Sequence, residues 1–241
     1  MKTVVIIPAR MGSSRFYGKP LADLCGKPMI EWVYERAMSA KGVSDVIVAA
    51  CDKEVMDAVA GFGGKAVMTD PNHKSGTDRL AEVAKNLDCD VVVNVQGDEP
   101  LIEPESIEKA VEVFDGSVDM ASLMVAIDEE TAADPNIVKV ITDNKGFAMY
   151  FSRSVIPYAR DARAGKIYGH IGLYAYTRDF LLKFASMERT PAEKTESLEQ
   201  LRVLENGYRI KMIEVGEKPL GVDTPADLEK VRKIIEEANN G

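Results

Sequence analysis

The stretch "TVVIIPARMGSSRFYGKP", residues 3–20, begins with five β-branched residues in a row and passes directly into a loop of glycine, serine and cations. A continuous apolar run of that kind suits a strand covered on both faces, as in a parallel sheet between two layers of helices. Lys2 before an apolar run resembles the start of a signal peptide, but Pro8, Ala9 and Arg10 end the run too early for a secretory core or a membrane span. The loop that follows departs from a Walker A loop. Five residues, not four, separate Gly12 from Gly18, and Pro20 follows Lys19 where a magnesium-holding Ser or Thr belongs. Proline also drives Lys19 toward extended backbone. The segment reads as a first strand feeding an extended basic loop.

Similar runs recur at 45–50 ("DVIVAA"), 65–69 ("KAVMT") and 90–95 ("DVVVNV"). Between them, apolar residues return with helical spacing: Ile30, Val33, Tyr34 and Ala37; Leu80, Val83, Ala84 and Leu87; Ile107, Ala110, Val111 and Phe114. Alternating strand and helix predicts a parallel sheet with helices on both faces. The second half changes character. Strands are expected at 119–127, 137–142, 146–151 and 170–176, with "DNKG" (143–146) as a hairpin turn. Helices are expected again at about 178–185, 195–206, stopped by Gly207, and 224–238, where Thr224, Pro225 and Asp227 form a variant capping box. With no linker, repeat or composition break, residues 1–241 are expected to form one mixed-sheet domain with a hairpin insertion.

The net charge of −9 argues against a general nucleic-acid or anionic-membrane binder. It also makes the opening segment conspicuous, because Met1–Ala22 holds Lys2, Arg10, Arg15 and Lys19 and no acid. The three cysteines, Cys25, Cys51 and Cys89, show neither disulfide nor metal-ligand spacing, which fits a reducing cytoplasm.

Ligands of open parallel sheets sit beyond the carboxyl ends of the strands. There Arg10, Arg15 and Lys19, with backbone amides of Gly12 and Ser13, suit a triphosphate. In "SGTDR" (75–79) Thr77 is expected as a helix N-cap, leaving Ser75 and Gly76 in the loop for a base or ribose. Asp98 in "QGDEP" is either a turn residue or a Mg²⁺ ligand, and Asp223 in "GVDTP" is either the second carboxylate or a local turn or helix-start residue. Of the two histidines, His73 has nothing to recommend it, whereas alternation places His170, Gly172 and Tyr174 on one strand face. Glu199 and Gln200 fall inside a predicted helix.

Taken in order, "IIPARMGSSRFYGKPLADLCGKPMI", "GTDRLAEV", "VVNVQGDEPLI", "DPNIVKV", "YFSRSVIPY", "HIGLYAY", "ESLEQLRVLENGYRI" and "GVDTPADLEKV" resemble the 3-deoxy-manno-octulosonate (Kdo) cytidylyltransferase family over about residues 3–235. The resemblance implies a Rossmann-like nucleotidyltransferase fold, a mostly parallel mixed sheet flanked by helices, and a cytoplasmic homodimer. The implied reaction turns CTP and Kdo into CMP-Kdo and pyrophosphate with Mg²⁺, activating Kdo for lipopolysaccharide synthesis. On the matching positions, Arg10 and Lys19 would bind the triphosphate with Ser13 and Arg15 in support. Ala9, Ser75, Gly76, Arg79 and Gln96 would line the cytidine region, and Asp98 and Asp223 would hold the metal. Arg153, His170, Tyr174, Glu199 and Gln200 would form the sugar-acid pocket. Three positions depart from the expected family pattern: Tyr17 replaces a proline, Cys51 a threonine, and Gly169 a basic or bulky residue before the histidine. Gly169 and Tyr17 bear on loop shape and sugar choice. An 8-amino-Kdo or a nonulosonate is therefore the alternative acceptor, and a catalytically silent nucleotide-binding regulator is the alternative class.

Overall fold

A computed structural model describes residues 1–12 and 16–240. The chain runs β1 (Thr3–Ala9), β2 (Asp23–Leu24), β3 (Lys27–Pro28), α1 (Met29–Ser39), β4 (Val43–Ala50), α2 (Lys53–Gly61), β5 (Ala66–Met68), α3 (Gly76–Ala84), β6 (Val91–Asn94) and α4 (Pro104–Glu112). It continues through β7 (Met120–Ile127), α5 (Glu129–Ala133), β8 (Lys139–Thr142), β9 (Ala148–Ser152), β10 (Ile167–Thr177), α6 (Arg178–Ala185), α7 (Pro191–Glu196), α8 (Leu201–Glu205), β11 (Lys211–Val215) and α9 (Pro225–Asn240). Two compact units result, Met1–Glu108 with Pro219–Gly241, and Lys109–Lys218. Among the described residues no helix is long and apolar enough to cross a membrane.

In the first unit β1 lies between β6 and β4, with β5 outside β4, and all three pairings are parallel. Val4, Val5, Ile6 and Ile7 are consecutive and all buried, so both faces of β1 are covered. The chain returns to this unit at its end. Val222, Leu228, Val231 and Ile235 pack with Leu24 and Met29, fixing α9 and the segment before it. The capping box expected at α9 is present, with Asp227 N donating to Thr224 Oγ1 at 3.3 Å and Thr224 N to Asp227 Oδ2 at 3.0 Å.

The second unit carries a mixed sheet in the order β11-β7-β10-β8-β9, parallel between β11 and β7 and antiparallel elsewhere. The β8–β9 hairpin turns where "DNKG" placed it: Asp143 Oδ1 accepts from Lys145 N at 2.8 Å and Phe147 N at 2.9 Å, and Gly146 takes φ 76°. The helix expected over 195–206 is two short helices instead. Ser197 adopts φ 53° and ends α7, so Glu199 lies in the connection and Gln200 is the N-cap of α8. Gly207, at φ 78°, closes α8 as expected. The strand β11 has no counterpart among the expected elements.

Candidate active site

The carboxyl ends of β1 and β6, the N-terminus of α3 and the segment before α9 enclose a cleft of about 380 Å³ in the first unit. Ala9, Arg10, Lys19, Ser75, Gly76, Arg79, Gln96, Asp98 and Asp223 all line it. Ser13 and Arg15 lie outside the described residues. Four cations of the lining (Arg10, Lys19, Lys74, Arg79) face two carboxylates (Asp98, Asp223), an excess of positive charge in a protein whose net charge is −9. That balance suits a polyanion.

Each side chain is placed by local structure. Gly18 N donates to Met11 O at 2.9 Å, closing the basic loop, and Gly18 takes φ 73°, which glycine adopts without penalty. Lys19 is not extended as Pro20 led one to expect: a short 3-10 turn at Lys19–Leu21, closed by Leu21 N donating to Gly18 O at 2.9 Å and with Pro20 buried, delivers it to the cleft. Lys19 Nζ lies 2.5 Å from Asp98 Oδ2 and 3.6 Å from Asp223 Oδ1. Backbone pairing explains how carboxylates so distant in sequence meet, because Val222 N donates to Asp98 O at 2.8 Å. The two acids therefore face one point, the donor set that Mg²⁺ takes when substrate oxygens and water complete its shell. Among the described residues no three His, Cys, Asp or Glu side chains gather into a metal-binding group, so such an ion would depend on the substrate for most ligands. Gly97 lets the strand ends approach closely, since a Cβ there would sit 3.0 Å from Pro8 O.

The N-cap of α3 is Ser75 and not Thr77, which is buried within the helix. Asp78 N donates to Ser75 Oγ at 3.1 Å and Ser75 N to Asp78 Oδ2 at 3.2 Å, a complete capping box. Ser75→Ala is expected to destabilise the first unit by about 1 kcal/mol, measurable as a lower denaturant midpoint at unchanged slope. Arg79 is buried, donating through Nη1 to Thr69 Oγ1, which in turn donates to Ala50 O at 2.8 Å. Gln96 Nε2 donates to Asn94 Oδ1 at 3.1 Å. Cys51 donates to Asp52 Oδ2 at 3.3 Å, and burial, with that hydrogen bond, raises its thiol pKa.

His73, set aside on sequence, also lines the cleft, its Nε2 2.5 Å from Glu82 Oε2. Its position two residues before the α3 cap was the available signal.

The other sequence-assigned residues belong to the second unit. His170 and Tyr174 share a face of β10, their rings 5.3 Å apart. Burial pushes the His170 imidazole down to about 3, with the Lys218 charge adding to it, and raises the Tyr174 hydroxyl together with nearby Glu199. Arg153 is held by its Nε donating to Glu196 O at 2.8 Å and its Nη1 to Pro135 O at 3.0 Å. Glu196 in turn accepts from Ser152 Oγ at 2.6 Å and Arg153 N at 2.9 Å. Arg202 Nη2 donates to Glu199 Oε1 at 3.3 Å, and Gln200 is buried. Glu196 and Arg202, which hold these groups, were not singled out from sequence. Gly169 is turned to the opposite face from His170, where a Cβ would lie 3.2 Å from Ile127 Cγ2 and 3.5 Å from Ile137 Cγ2.

Residues 4–213 match the family described as Cytidylyltransferase. The chain is similar to the 3-deoxy-manno-octulosonate cytidylyltransferase of Geotalea uraniireducens (strain Rf4), at 54% identity over 96% of this chain and 98% of that one. It is also similar to the Escherichia coli protein of the same name, at 48% identity over 97% and 96% of the respective chains. Among solved structures, a CMP:2-keto-3-deoxy-manno-octonic acid synthetase complexed with CTP aligns with a TM-score of 0.96 at 47% identity, covering 99% of this chain and 100% of that one. A 4-diphosphocytidyl-2C-methyl-D-erythritol synthase from Anaerococcus prevotii aligns at TM-score 0.65 over 98% of this chain and 99% of that one, and at 14% identity shares the fold alone.

Proposed function

This chain belongs to the cytidylyltransferase family, and on that premise we propose that it converts CTP and Kdo to CMP-Kdo and pyrophosphate, activating Kdo for lipopolysaccharide synthesis. The observation that carries the reading is the cation-rich cleft at the strand ends, with Asp98 and Asp223 converging on Lys19. The 2-hydroxyl of the sugar gives its proton to solvent and attacks the α-phosphorus of CTP, a P–O bond forms to the sugar oxygen, and the bond to pyrophosphate breaks with its electron pair leaving on the pyrophosphate. Chemistry of this kind asks the protein mainly for positioning and charge neutralisation. Arg10 and Lys19 take up the charge that accumulates on the departing pyrophosphate. Arg79, Gln96, Ser75, Gly76 and Ala9 hold the cytidine, while Arg153, Glu199, Gln200, His170 and Tyr174 bind the sugar acid. Asp98 and Asp223 would hold Mg²⁺, which when bound supplies further neutralisation at the phosphates.

None of the three cysteines forms a disulfide, which supports a cytoplasmic protein. The exposed apolar side chains Met149, Tyr150, Val155 and Tyr158 of the second unit support a homodimer.

The test is pyrophosphate release by the purified chain with Mg²⁺, comparing CTP with ATP, GTP and UTP and including a control without sugar. Release that needs both CTP and Kdo is expected. Release only with 8-amino-Kdo or a nonulosonate would move the acceptor, and CTP binding without release from any sugar would make the chain a nucleotide-binding regulator.

A further inference from the structure

Ser122 lies on β7 and is fully buried, yet its hydroxyl has three polar neighbours. Leu173 O is 2.9 Å away, Ile171 O 3.2 Å and His170 Nε2 2.9 Å. The crowding comes from the irregularity in β10. His170 pairs with Met124 and Ile171 with Leu123, but the next partner on β7, Ser122, faces Tyr174. Gly172 and Leu173 are thus extra residues on one strand of the ladder, and the carbonyls of Ile171 and Leu173 both meet the serine. Such bulges re-aim side chains next to functional sites.

A hydroxyl has one proton to give and two lone pairs to receive with. Both carbonyls can only accept, so the Ser122 proton goes to one of them. Its oxygen is then left as an acceptor toward the imidazole. Were the proton given to Nε2 instead, two buried carbonyl oxygens would press on hydroxyl lone pairs without a hydrogen between them, a costly arrangement away from water. Only an Nε2–H imidazole lets the hydroxyl give its proton to a carbonyl and still receive one from the ring; the second carbonyl takes no proton from Ser122 in either case.

We propose that Ser122 is a positioning residue that fixes His170 as the neutral Nε2–H tautomer, leaving Nδ1 as a hydrogen-bond acceptor for a hydroxyl of the sugar acid. The substrate half of this inference rests on the function proposed above; the tautomer half rests on geometry alone. His170 then recognises the acceptor as a polyol and does not serve as a cationic partner for its carboxylate, a part that falls to Arg153. The surroundings agree. The ring lies between Phe151, with centroids 5.0 Å apart, and Tyr174, at 5.3 Å. Lys218 is the charged group acting on the imidazole, and it disfavours a second positive charge. Tyr174, whose hydroxyl is kept protonated by burial and by Glu199, supplies no anion to favour one either.

The chain has two histidines, so ¹⁵N-histidine NMR resolves the question directly, with His73→Gln assigning the second set of signals. In the unsubstituted chain without substrate, His170 is expected to show a protonated Nε2 and an unprotonated Nδ1, unchanged between about pH 8 and pH 5, across the range where a free imidazole titrates. A protonated Nδ1 with bare Nε2, or an imidazolium at neutral pH, overturns the proposal. In Ser122→Ala the tautomer preference is expected to be lost and KM for Kdo to rise about fivefold, the usual cost of losing one oriented hydrogen bond. KM for CTP should stay within about twofold on the same ground. Ser122→Thr, which keeps the hydroxyl, should restore the tautomer. An Nε2–H signal in the unsubstituted chain with KM for Kdo unmoved in Ser122→Ala overturns the substrate half. Absence of pyrophosphate release by the unsubstituted chain defeats the proposed function itself, and the NMR signal still decides between Ser122 and His170.

Discussion

Asp98→Asn is expected to lower turnover about 1,000-fold, the scale seen when one preorganised charge-stabilising group is removed from a transition state. Asparagine keeps the shape of the side chain and removes its charge. The backbone contact from Val222 N to Asp98 O at 2.8 Å is untouched, so the segment carrying Asp223 stays in place. What is lost is one of the two anions facing Lys19, 2.5 Å from its Nζ. The Asp98 side chain is 33% exposed, and pairs with that much solvent contact contribute little to stability. Thermal unfolding should therefore remain within about 1 kcal/mol of the unsubstituted chain. The variant separates a functional carboxylate from a structural one: single-turnover pyrophosphate release and a melting curve on the same preparation are sufficient. If turnover stayed within about tenfold of the unsubstituted chain, well short of such effects, Asp98 would be a turn residue that happens to pair with Lys19, and the metal assignment would go with it.

The first half of the fold was legible because its signals are local and redundant. A run such as "TVVII" can stay apolar on both faces only where both faces are covered, and in β1 they are. The basic loop was legible for the opposite reason, as cations without nearby acids in an acidic chain. The partners of Lys19 come from far along the sequence, Asp98 and Asp223, and their convergence is made by the Val222–Asp98 backbone hydrogen bond and the packing of α9, which no local pattern announces. The α3 cap illustrates a signal present and misjudged. In "SGTD" the capping-box spacing runs from Ser75 to Asp78, whereas Thr77 has Leu80 at the corresponding place. The break between α7 and α8 gave no such sign, because Ser197 takes a left-handed conformation that glycine or asparagine would have advertised. Glu199 and Gln200 accordingly looked like residues of a continuous helix, although the break is what takes them out of one. Ser122 was invisible for a further reason: a serine in an apolar strand acquires meaning only from the bulge opposite it.

Glu193→Ala is expected to cost the second unit about 3–5 kcal/mol, the range for breaking a buried ion pair from one side. Glu193 and Arg202 are 3% and 6% exposed, and the guanidinium forks onto the carboxylate through Nη2 at 2.7 Å and Nε at 2.8 Å. Arg189 Nε adds a contact at 3.0 Å, and Thr190 N closes the start of α7 with another at 3.3 Å. Burial by itself would raise the Glu193 pKa, but the hydrogen bonds from Arg202 and Arg189 outweigh it and hold the carboxyl below its usual range. Truncation removes the buried fork and leaves the Arg202 guanidinium with the partly exposed Glu199 carboxylate, 3.3 Å from Nη2, and the Phe184 and Met187 carbonyls, 3.5 and 3.4 Å from Nη1, which compensate only in part. The sign of the pH dependence follows from the lowered pKa. The pair stabilises fully above the ordinary glutamate range, near pH 4.5, and the contribution disappears as pH falls through the lower folded-state value. The difference in unfolding free energy between the parent and Glu193→Ala should therefore be greatest near neutral pH and shrink in acid. Replacing both partners, as Glu193→Leu with Arg202→Met, should recover most of the loss, because the penalty lies in the stranded charge rather than in the missing attraction. Since Arg202 also donates to Glu199, the double variant should fold yet bind the sugar acid more weakly, with KM for Kdo raised and KM for CTP unchanged. Denaturant unfolding of the single and double variants at two pH values measures the first effect, and steady-state kinetics of the double variant the second. A single variant that loses less than about 1 kcal/mol would show that water reaches Arg202 and that the pair is effectively a surface one.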